Sequence, residues 1–258
     1  MSNKNPIGLF DSGVGGTSIW KEVHALLPNE STIYLADSKN APYGQKTPEE
    51  IIELSKKNTE FLLDNNCKLI IVACNTATTN AIKVLRASYD VPFIGIEPAI
   101  KPAALHSKTQ KIGILATQGT LNSELFHQNV ALYSDVKIVE QIGFDLVKLI
   151  ENGEMHSEKM SQLLEEYLLP MVAQDIDYLV LGCTHYPYLI PQIKKIIPNH
   201  IKIIDSGEAV AKQTKHILEI NNLFNTSNDV HHTFYVNSSA EVMQELIGPK
   251  YKVNYKDF

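Results

Sequence analysis

The chain is organised as short apolar runs, each followed by a longer stretch in which apolar residues recur at helical spacing. Alternation of this kind is typical of α/β proteins. Several runs are apolar at every position rather than at every second one, which indicates parallel strands covered by helices on both faces. We therefore predict an α/β fold with strands at IGLF (7–10), TIYLAD (32–37), KLIIVA (68–73), FIGI (93–96), KIGILA (111–116), VKIVEQI (136–142), DYLVLG (177–182), IKIID (201–205) and HHTFYVN (231–237).

The order of these segments repeats once along the chain. Each half begins with a strand and a loop, "DSGVGG" or "TQGT", and reaches a cysteine motif, "IIVACNT" or "LVLGCTH". The repeat predicts two similar lobes, with residues 1–97 and 207–258 in one and residues 98–206 in the other. We expect Pro98 and Pro102 to interrupt regular structure at the first crossover, and the helix after Asp205 to return the chain to the first lobe.

Composition excludes several classes of function. With 258 residues, of which 44% are hydrophobic and 20% charged, the chain can bury a sizeable core. Three cysteines without regular spacing do not form a disulfide framework, and the start lacks an apolar signal segment, so we expect a cytoplasmic protein. The net charge of -6 argues against a nucleic-acid partner, and no run is apolar enough for a membrane partner. Small-molecule ligands are the expected partners.

Two of the three cysteines stand at predicted strand-to-helix junctions. Cys74 and Cys183 each end an apolar run and are followed by hydroxyl or amide side chains. There, backbone N–H groups and the helix dipole are expected to lower the thiol pKa. Cys67 fits the ordinary behaviour of a buried, small hydrophobic residue. The spacing does not match a zinc site, and a redox disulfide between Cys74 and Cys183 ranks below acid and base chemistry.

Other polar residues are placed to assist these thiols. His185 follows Cys183 by two residues, so its imidazole can accept the thiol hydrogen bond or stabilise the thiolate. Asp11 can serve Cys74 in the same way if their strands are neighbours. The glycines of "DSGVGGTS" resemble a phosphate-binding loop but lack the last glycine of the dinucleotide motif. We therefore favour a tight turn with close packing over nucleotide binding.

Four motifs of the sequence resemble those of a known protein family. "IVACNTATT" and "VLGCTHYPYL" resemble the paired cysteine signatures of the aspartate and glutamate racemases, and "GLFDSGVGG" with "APYGQK" resembles the glutamate racemases among them. The similarity extends from Ile7 to about Ala209. It implies two α/β lobes with pseudo-twofold symmetry, a substrate site in the cleft between them, no cofactor and no metal. We further expect a homodimer.

The resemblance also implies roles for individual residues. Cys74 is expected to deprotonate the D-enantiomer with help from Asp11, and Cys183 the L-enantiomer with help from His185. Glu151, in "LIENGE", matches a further acidic residue near the second cysteine. The resemblance assigns the substrate contacts to Asp11, Ser12, Tyr43, Gly44, Asn75, Thr76, Thr117, Thr120, Thr184 and His185.

The predicted function is the interconversion of L- and D-glutamate, which supplies D-glutamate for peptidoglycan. Two acid–base groups are required because the α-proton leaves one face of the carbon and a proton arrives at the other. Aspartate racemase is the alternative within the family. An amino-acid binding protein would need the hydroxyl-lined cleft but neither thiol, whereas a thiol redox protein would need both thiols but no carboxylate pocket.

Overall fold

The computed structural model describes residues 4–227 and 229–258, which form ten strands, eleven α-helices and three 3₁₀ segments. The strands are β1 (Ile7–Asp11), β2 (Thr32–Ala36), β3 (Leu69–Val72), β4 (Phe93–Gly95), β5 (Lys111–Ala116), β6 (Lys137–Ile142), β7 (Tyr178–Gly182), β8 (Lys202–Ile204), β9 (His232–Val236) and β10 (Val253–Tyr255). The helices are α1 (Thr17–Leu26), α2 (Pro48–Asp64), α3 (Asn75–Ser88), α4 (Ile100–His106), α5 (Gln118–Leu121), α6 (Glu124–Ala131), α7 (Leu146–Glu151), α8 (Glu158–Val172), α9 (Ile190–Ile196), α10 (Gly207–Ile220) and α11 (Glu241–Ile247). The 3₁₀ segments are Ser38–Asn40, Tyr43–Gln45 and Tyr186–Leu189.

The strands form two separate sheets. One has the order β10-β9-β2-β1-β3-β4 and the other β6-β5-β7-β8, and every strand pair in the described chain is parallel. We call the parts built on the six-stranded and four-stranded sheets the first and second lobes. The orders β2-β1-β3-β4 and β6-β5-β7-β8 are the same, which is the structural counterpart of the sequence repeat. The predicted α/β fold is confirmed.

Strand positions follow the apolar runs closely. Each predicted run forms a strand to within two residues at either end. All four residues of β3 are buried, which the continuous apolar pattern indicated. The strand β10 was not predicted, because three residues between Lys252 and Lys256 carry too little apolar signal.

Helix starts follow local capping chemistry. The Thr47 hydroxyl accepts the Glu50 N–H at 3.2 Å, and the Glu50 carboxylate accepts the Thr47 N–H at 2.8 Å, which together form a capping box before Pro48.

The expectation that Pro102 interrupts regular structure was wrong. Pro102 lies in the first turn of α4, where a missing backbone N–H breaks no helical hydrogen bond.

The two crossovers between the lobes lie side by side. The Ser206 hydroxyl donates to the Glu97 carbonyl at 2.5 Å, which joins the segment after β8 to the segment after β4. From there α10 returns to the first lobe and packs against α1. The division of the chain at residues 97/98 and 206/207 stays a prediction. None of the described helices is long and apolar enough to cross a bilayer.

A group of aromatic side chains joins α1 to β9. Trp20 stacks on His24 with ring centroids 5.0 Å apart, and His232 meets the His24 ring edge-on at 4.5 Å. The hydroxyl of Thr32 lies 2.9 Å from Nδ1 of His232. Burial, together with the charges of His24 and Lys250, lowers the pKa of His232 to about 4.

Acidification should therefore destabilise the fold in part through His232. Its imidazole has a pKa of about 6.5 in an unfolded chain, so the unfolded state binds the proton first. This contribution is complete above pH ~6.5 and is lost as the pH falls toward 4. Urea unfolding at pH 7 and pH 5 should show a smaller stability loss in His232→Gln than in the wild type. As a control, replacing the exposed His216 by glutamine should leave the loss of stability between pH 7 and pH 5 as large as in the wild type. An equal loss in His232→Gln and the wild type would contradict the assignment.

Candidate active site

The predicted site residues collect at the carboxyl ends of equivalent strands in the two lobes. Cys74 follows β3 and Cys183 follows β7, and these strands hold the same place in their sheets. Both thiols line one small cavity between the lobes. The cavity is lined by Ser12, Pro42, Tyr43, Gly44, Cys74, Asn75, Thr76, Thr117, Val147, Cys183, Thr184 and His185.

Cys74 caps the start of α3. Its sulfur accepts the Ala77 N–H at 3.4 Å and donates to the Ser12 hydroxyl at 3.6 Å. Burial of the thiol and the charge of Asp11 nevertheless raise its pKa well above the ordinary value. The expectation of a lowered pKa was wrong for Cys74, because burial outweighs the helix N-terminus. Cys74 is thus a protonated thiol in this state.

Asp11 stands behind Cys74 and is fully buried. Its Oδ2 accepts the Gly16 N–H at 2.7 Å and the Thr184 hydroxyl at 3.4 Å, while Oδ1 accepts the Ser12 hydroxyl at 3.4 Å. β1 and β3 are neighbours in the sheet, which satisfies the condition set for this pairing. Burial raises the pKa of Asp11, although the charge of His185 and the Gly16 N–H oppose the shift. A carboxylate with a raised pKa is a stronger base for a nearby thiol proton.

Cys183, His185 and Glu151 form a relay in the second lobe. The Cys183 sulfur lies 3.7 Å from Nδ1 of His185, and Nε2 of His185 lies 2.5 Å from the Glu151 carboxylate. We assign the proton to Nε2, because an ionised carboxylate can only accept; the Gly15 N–H, 3.2 Å from the same nitrogen, is then a secondary contact, and Nδ1 faces the thiol. Burial opposes a charge on His185, but its hydrogen bonds to Cys183 and Glu151 outweigh burial and raise the pKa of the imidazole. The relay therefore favours a protonated imidazole beside the Cys183 sulfur.

The glycines of the loop after β1 allow it to approach this relay closely. A side chain at Gly13 would collide with the Glu151 carboxylate, and one at Gly15 with the His185 ring. The loop N–H of Val14 donates to Glu151 at 2.7 Å. The glycines thus serve close packing between the lobes, as the sequence indicated.

Hydroxyl and amide groups surround the remaining space. The hydroxyls of Thr76, Thr117 and Thr120 lie within 2.8–3.3 Å of one another, across the two lobes. The Oδ1 of Asn75 is buried and has no hydrogen-bond partner among the described residues. It is therefore available to a ligand that donates a hydrogen bond.

Tyr43 and Gly44 form the wall nearest the second lobe. The Tyr43 hydroxyl points away from the cavity, donating to Asp37 and accepting from Asn58 at 3.1 Å, so only the rest of Tyr43 remains to meet a ligand. Gly44 lies against Thr117, where a side chain would crowd the threonine.

The predicted site residues fall into two groups, those that line the cavity and those that stand behind the lining. Asp11, Thr120 and Glu151 stand behind the lining and contact residues that form it. Pro42 and Val147 line the cavity but were not predicted. Pro42 lies inside the quoted "APYGQK" motif, whereas nothing in the local sequence marks Val147. No three His, Cys, Asp or Glu side chains in the described ranges are arranged to hold a metal ion.

Comparisons with known proteins agree with this geometry. Residues 16–214 match the family model of the Asp/Glu/hydantoin racemases. A glutamate racemase from Ralstonia pickettii is 49% identical over 208 residues, covering 80% of this chain and 74% of that protein. The crystal structure of a Bacillus anthracis glutamate racemase has a TM-score of 0.88 at 32% identity, covering 98% and 97% of the two chains. That of Francisella tularensis glutamate racemase in complex with D-glutamate has a TM-score of 0.86 at 29% identity, covering 99% and 98%.

Proposed function

Since the chain belongs to the Asp/Glu/hydantoin racemase family and is therefore an isomerase, we propose that it interconverts L- and D-glutamate by a cofactor-independent, two-thiol mechanism. One observation carries the proposal. Cys74 and Cys183 follow equivalent strands of the two lobes and line the same cavity. A carbon held between them meets one sulfur on each face.

The side chains beside the two thiols favour a direction for the first turnover. Cys183, beside the His185 imidazolium, is the thiolate that removes the α-proton of L-glutamate. Cys74, held as a thiol by burial, delivers its proton to the opposite face and yields D-glutamate. For the reverse reaction Asp11 takes the Cys74 proton and the protonated His185 gives its Nδ1 proton to Cys183. The Cys74 thiolate then removes the α-proton of D-glutamate, and the Cys183 thiol delivers its proton to the opposite face.

The negative charge that develops on the substrate is stabilised by fixed donors. Ser12, Thr76, Thr117 and Thr184 line the cavity, and on substrate binding their hydroxyls turn from their present protein partners to donate to the carboxylates. The free Oδ1 of Asn75 accepts a hydrogen bond from the ammonium. Thr120 holds the hydroxyls of Thr76 and Thr117, while Tyr43 and Gly44 close the wall. Donors fixed in advance in a cavity that excludes water stabilise the transition state without reorganisation.

Aspartate racemisation is the second candidate within the family. Glutamate is favoured because the relatives that match most of the chain are named glutamate racemases, and one of them binds D-glutamate. A redox role has less support, because all three cysteines are free thiols in the structure. A purely binding role leaves the paired thiols without a function.

Circular dichroism can follow the reaction directly. Protein dialysed against a chelator and free of pyridoxal phosphate should abolish the optical signal of L-glutamate and of D-glutamate. Both reactions should end at the same equal mixture of the two enantiomers. Aspartate should lose its signal at least about 100-fold more slowly, because its shorter side chain cannot bring both carboxylates onto the donors at once. Persistence of both glutamate signals would contradict the proposed function. Faster loss of the aspartate signal would favour the alternative.

The cellular role follows from the product. D-glutamate made by this enzyme would enter peptidoglycan synthesis, so we place the protein in the cytoplasm, where the free thiols stay reduced. The active unit is proposed to be a homodimer, with glutamate as the small-molecule partner.

A further inference from the structure

Glu151 is held from both lobes. It ends α7 in the second lobe, the lobe that also carries Cys183 and His185. Its Oε1 lies 2.5 Å from Nε2 of His185 and accepts the N–H of Val14 at 2.7 Å. Its Oε2 accepts the hydroxyl of Ser38 at 2.7 Å. Val14 and Ser38 belong to the first lobe, so the carboxylate has its full set of partners only when the lobes are together.

Ser38 has a particular place in this set. Oε1 has two partners, whereas the Ser38 hydroxyl is the only partner that the described residues provide for Oε2. A carboxylate fixed at both oxygens cannot rotate away from the imidazole that it orients. Ser38 is not among the residues that line the cavity, so it acts through Glu151 and does not touch the substrate.

From this geometry we propose that Ser38 is a positioning residue that holds Glu151 against His185 from the opposite lobe. Closure of the lobes then completes the Cys183 base. The inference rests on the proposed function, because it requires Cys183 to act as the base for one enantiomer.

The base on the other face is assembled differently. Cys74, Asp11, Ser12 and Gly16 all belong to the first lobe, and their hydrogen bonds join them to one another. Only the long contact of 3.4 Å from Thr184 reaches Asp11 from the second lobe. Loss of the Ser38 hydroxyl should therefore weaken the Cys183 base and spare the Cys74 base.

A one-way reaction separates the two bases. In the 3-chloro analogues of L- and D-glutamate, a thiolate removes the α-proton and the electron pair expels chloride from Cβ. The remaining enamine takes up water and releases ammonium and 2-oxoglutarate. Only one base acts on each enantiomer, so the rate of ammonium release reports Cys183 with the L-analogue and Cys74 with the D-analogue.

The variants are Ser38→Ala, Ser38→Thr and a matched control, Ser18→Ala. Ser18 also donates a hydroxyl hydrogen bond between the lobes, but to the Thr184 carbonyl at 2.9 Å rather than to Glu151. Ser38→Ala should lower kcat/KM for the L-analogue about tenfold, the range expected for a hydrogen bond to a carboxylate, and change the D-analogue less than about twofold. Ser38→Thr should restore the L-analogue rate, and Ser18→Ala should affect both enantiomers equally.

Equal loss with both enantiomers in Ser38→Ala, or no loss with either, would overturn the role of Ser38 and leave the proposed function standing. Failure of Ser38→Thr to restore the rate would also count against the hydroxyl. A wild-type protein inert toward both analogues and toward glutamate would overturn the proposed function and this inference with it.

Discussion

Replacing either active-site thiol by serine is expected to lower glutamate racemisation roughly 10³-fold or more. A serine hydroxyl is far too weak a base to remove an α-proton, and both faces of the carbon must be served in each turnover. Cys74→Ser should remove the acid that faces Cys183, and Cys183→Ser the thiolate beside His185. The loss should appear in both directions, measured by circular dichroism from pure L- or D-glutamate.

Racemisation rates alone cannot assign a face to each thiol. The enantiomers have equal free energies in water, so kcat/KM must be equal in the two directions for any variant that still racemises. The 3-chloro analogues escape this constraint, because elimination after one deprotonation does not need the second thiol. Cys74→Ser should retain elimination from the L-analogue and Cys183→Ser from the D-analogue.

The third cysteine provides the matched control. Cys67 is buried beside Gly8 and Leu62, away from the cavity, and burial raises its pKa to about 12. Cys67→Ser should keep both racemisation and elimination, at a modest cost in stability from the buried hydroxyl. Loss of elimination with both enantiomers in both Cys74→Ser and Cys183→Ser, in folded protein, would contradict the assignment of one thiol to each face.

Glu151→Gln is expected to have the second largest effect, about 100-fold on elimination from the L-analogue. Glutamine retains the shape and an oxygen for the proton on Nε2 of His185, but it removes the negative charge. Without that charge the pKa of His185 should fall, so the imidazolium that stabilises the Cys183 thiolate is lost. The D-analogue should lose much less.

NMR titration of the His185 ring provides a readout besides activity. The wild type should keep this imidazole protonated to higher pH than Glu151→Gln does. Glu154→Gln is the control, since Glu154 lies three residues after Glu151 but is exposed, and its carboxylate accepts a hydrogen bond from the side chain of Asn152 rather than from His185. An unchanged His185 titration in Glu151→Gln would contradict the proposed relay.

Much of this fold and site could be predicted from sequence because the signals are local. Continuous apolar runs marked the parallel strands, and parallel strands bring their carboxyl ends to one edge. Residues that directly follow such runs, including Cys74, Thr117 and Cys183, were therefore predictable members of one site.

Other features depend on contacts between distant segments. The raised pKa of Cys74 results from burial by elements that its own motif does not contain. Glu151 lies 137 residues from Val14 and 113 from Ser38, so its role in joining the lobes has no local signature. Val147, in the first turn of α7, lines the cavity because that turn packs against it from the second lobe. Such features appear only once the two lobes are packed.

The two-base mechanism is tested most directly by racemising L-glutamate in D₂O and examining the α-carbon at low conversion. With two opposed thiols, the acid on the far face carries a deuteron from solvent, while the thiol that took the protium can return only that protium. The product D-glutamate should therefore be deuterated at the α-carbon, and the remaining L-glutamate should keep its protium. D-glutamate that retains the original protium, or equal deuterium in both enantiomers, would indicate a single base and contradict the account.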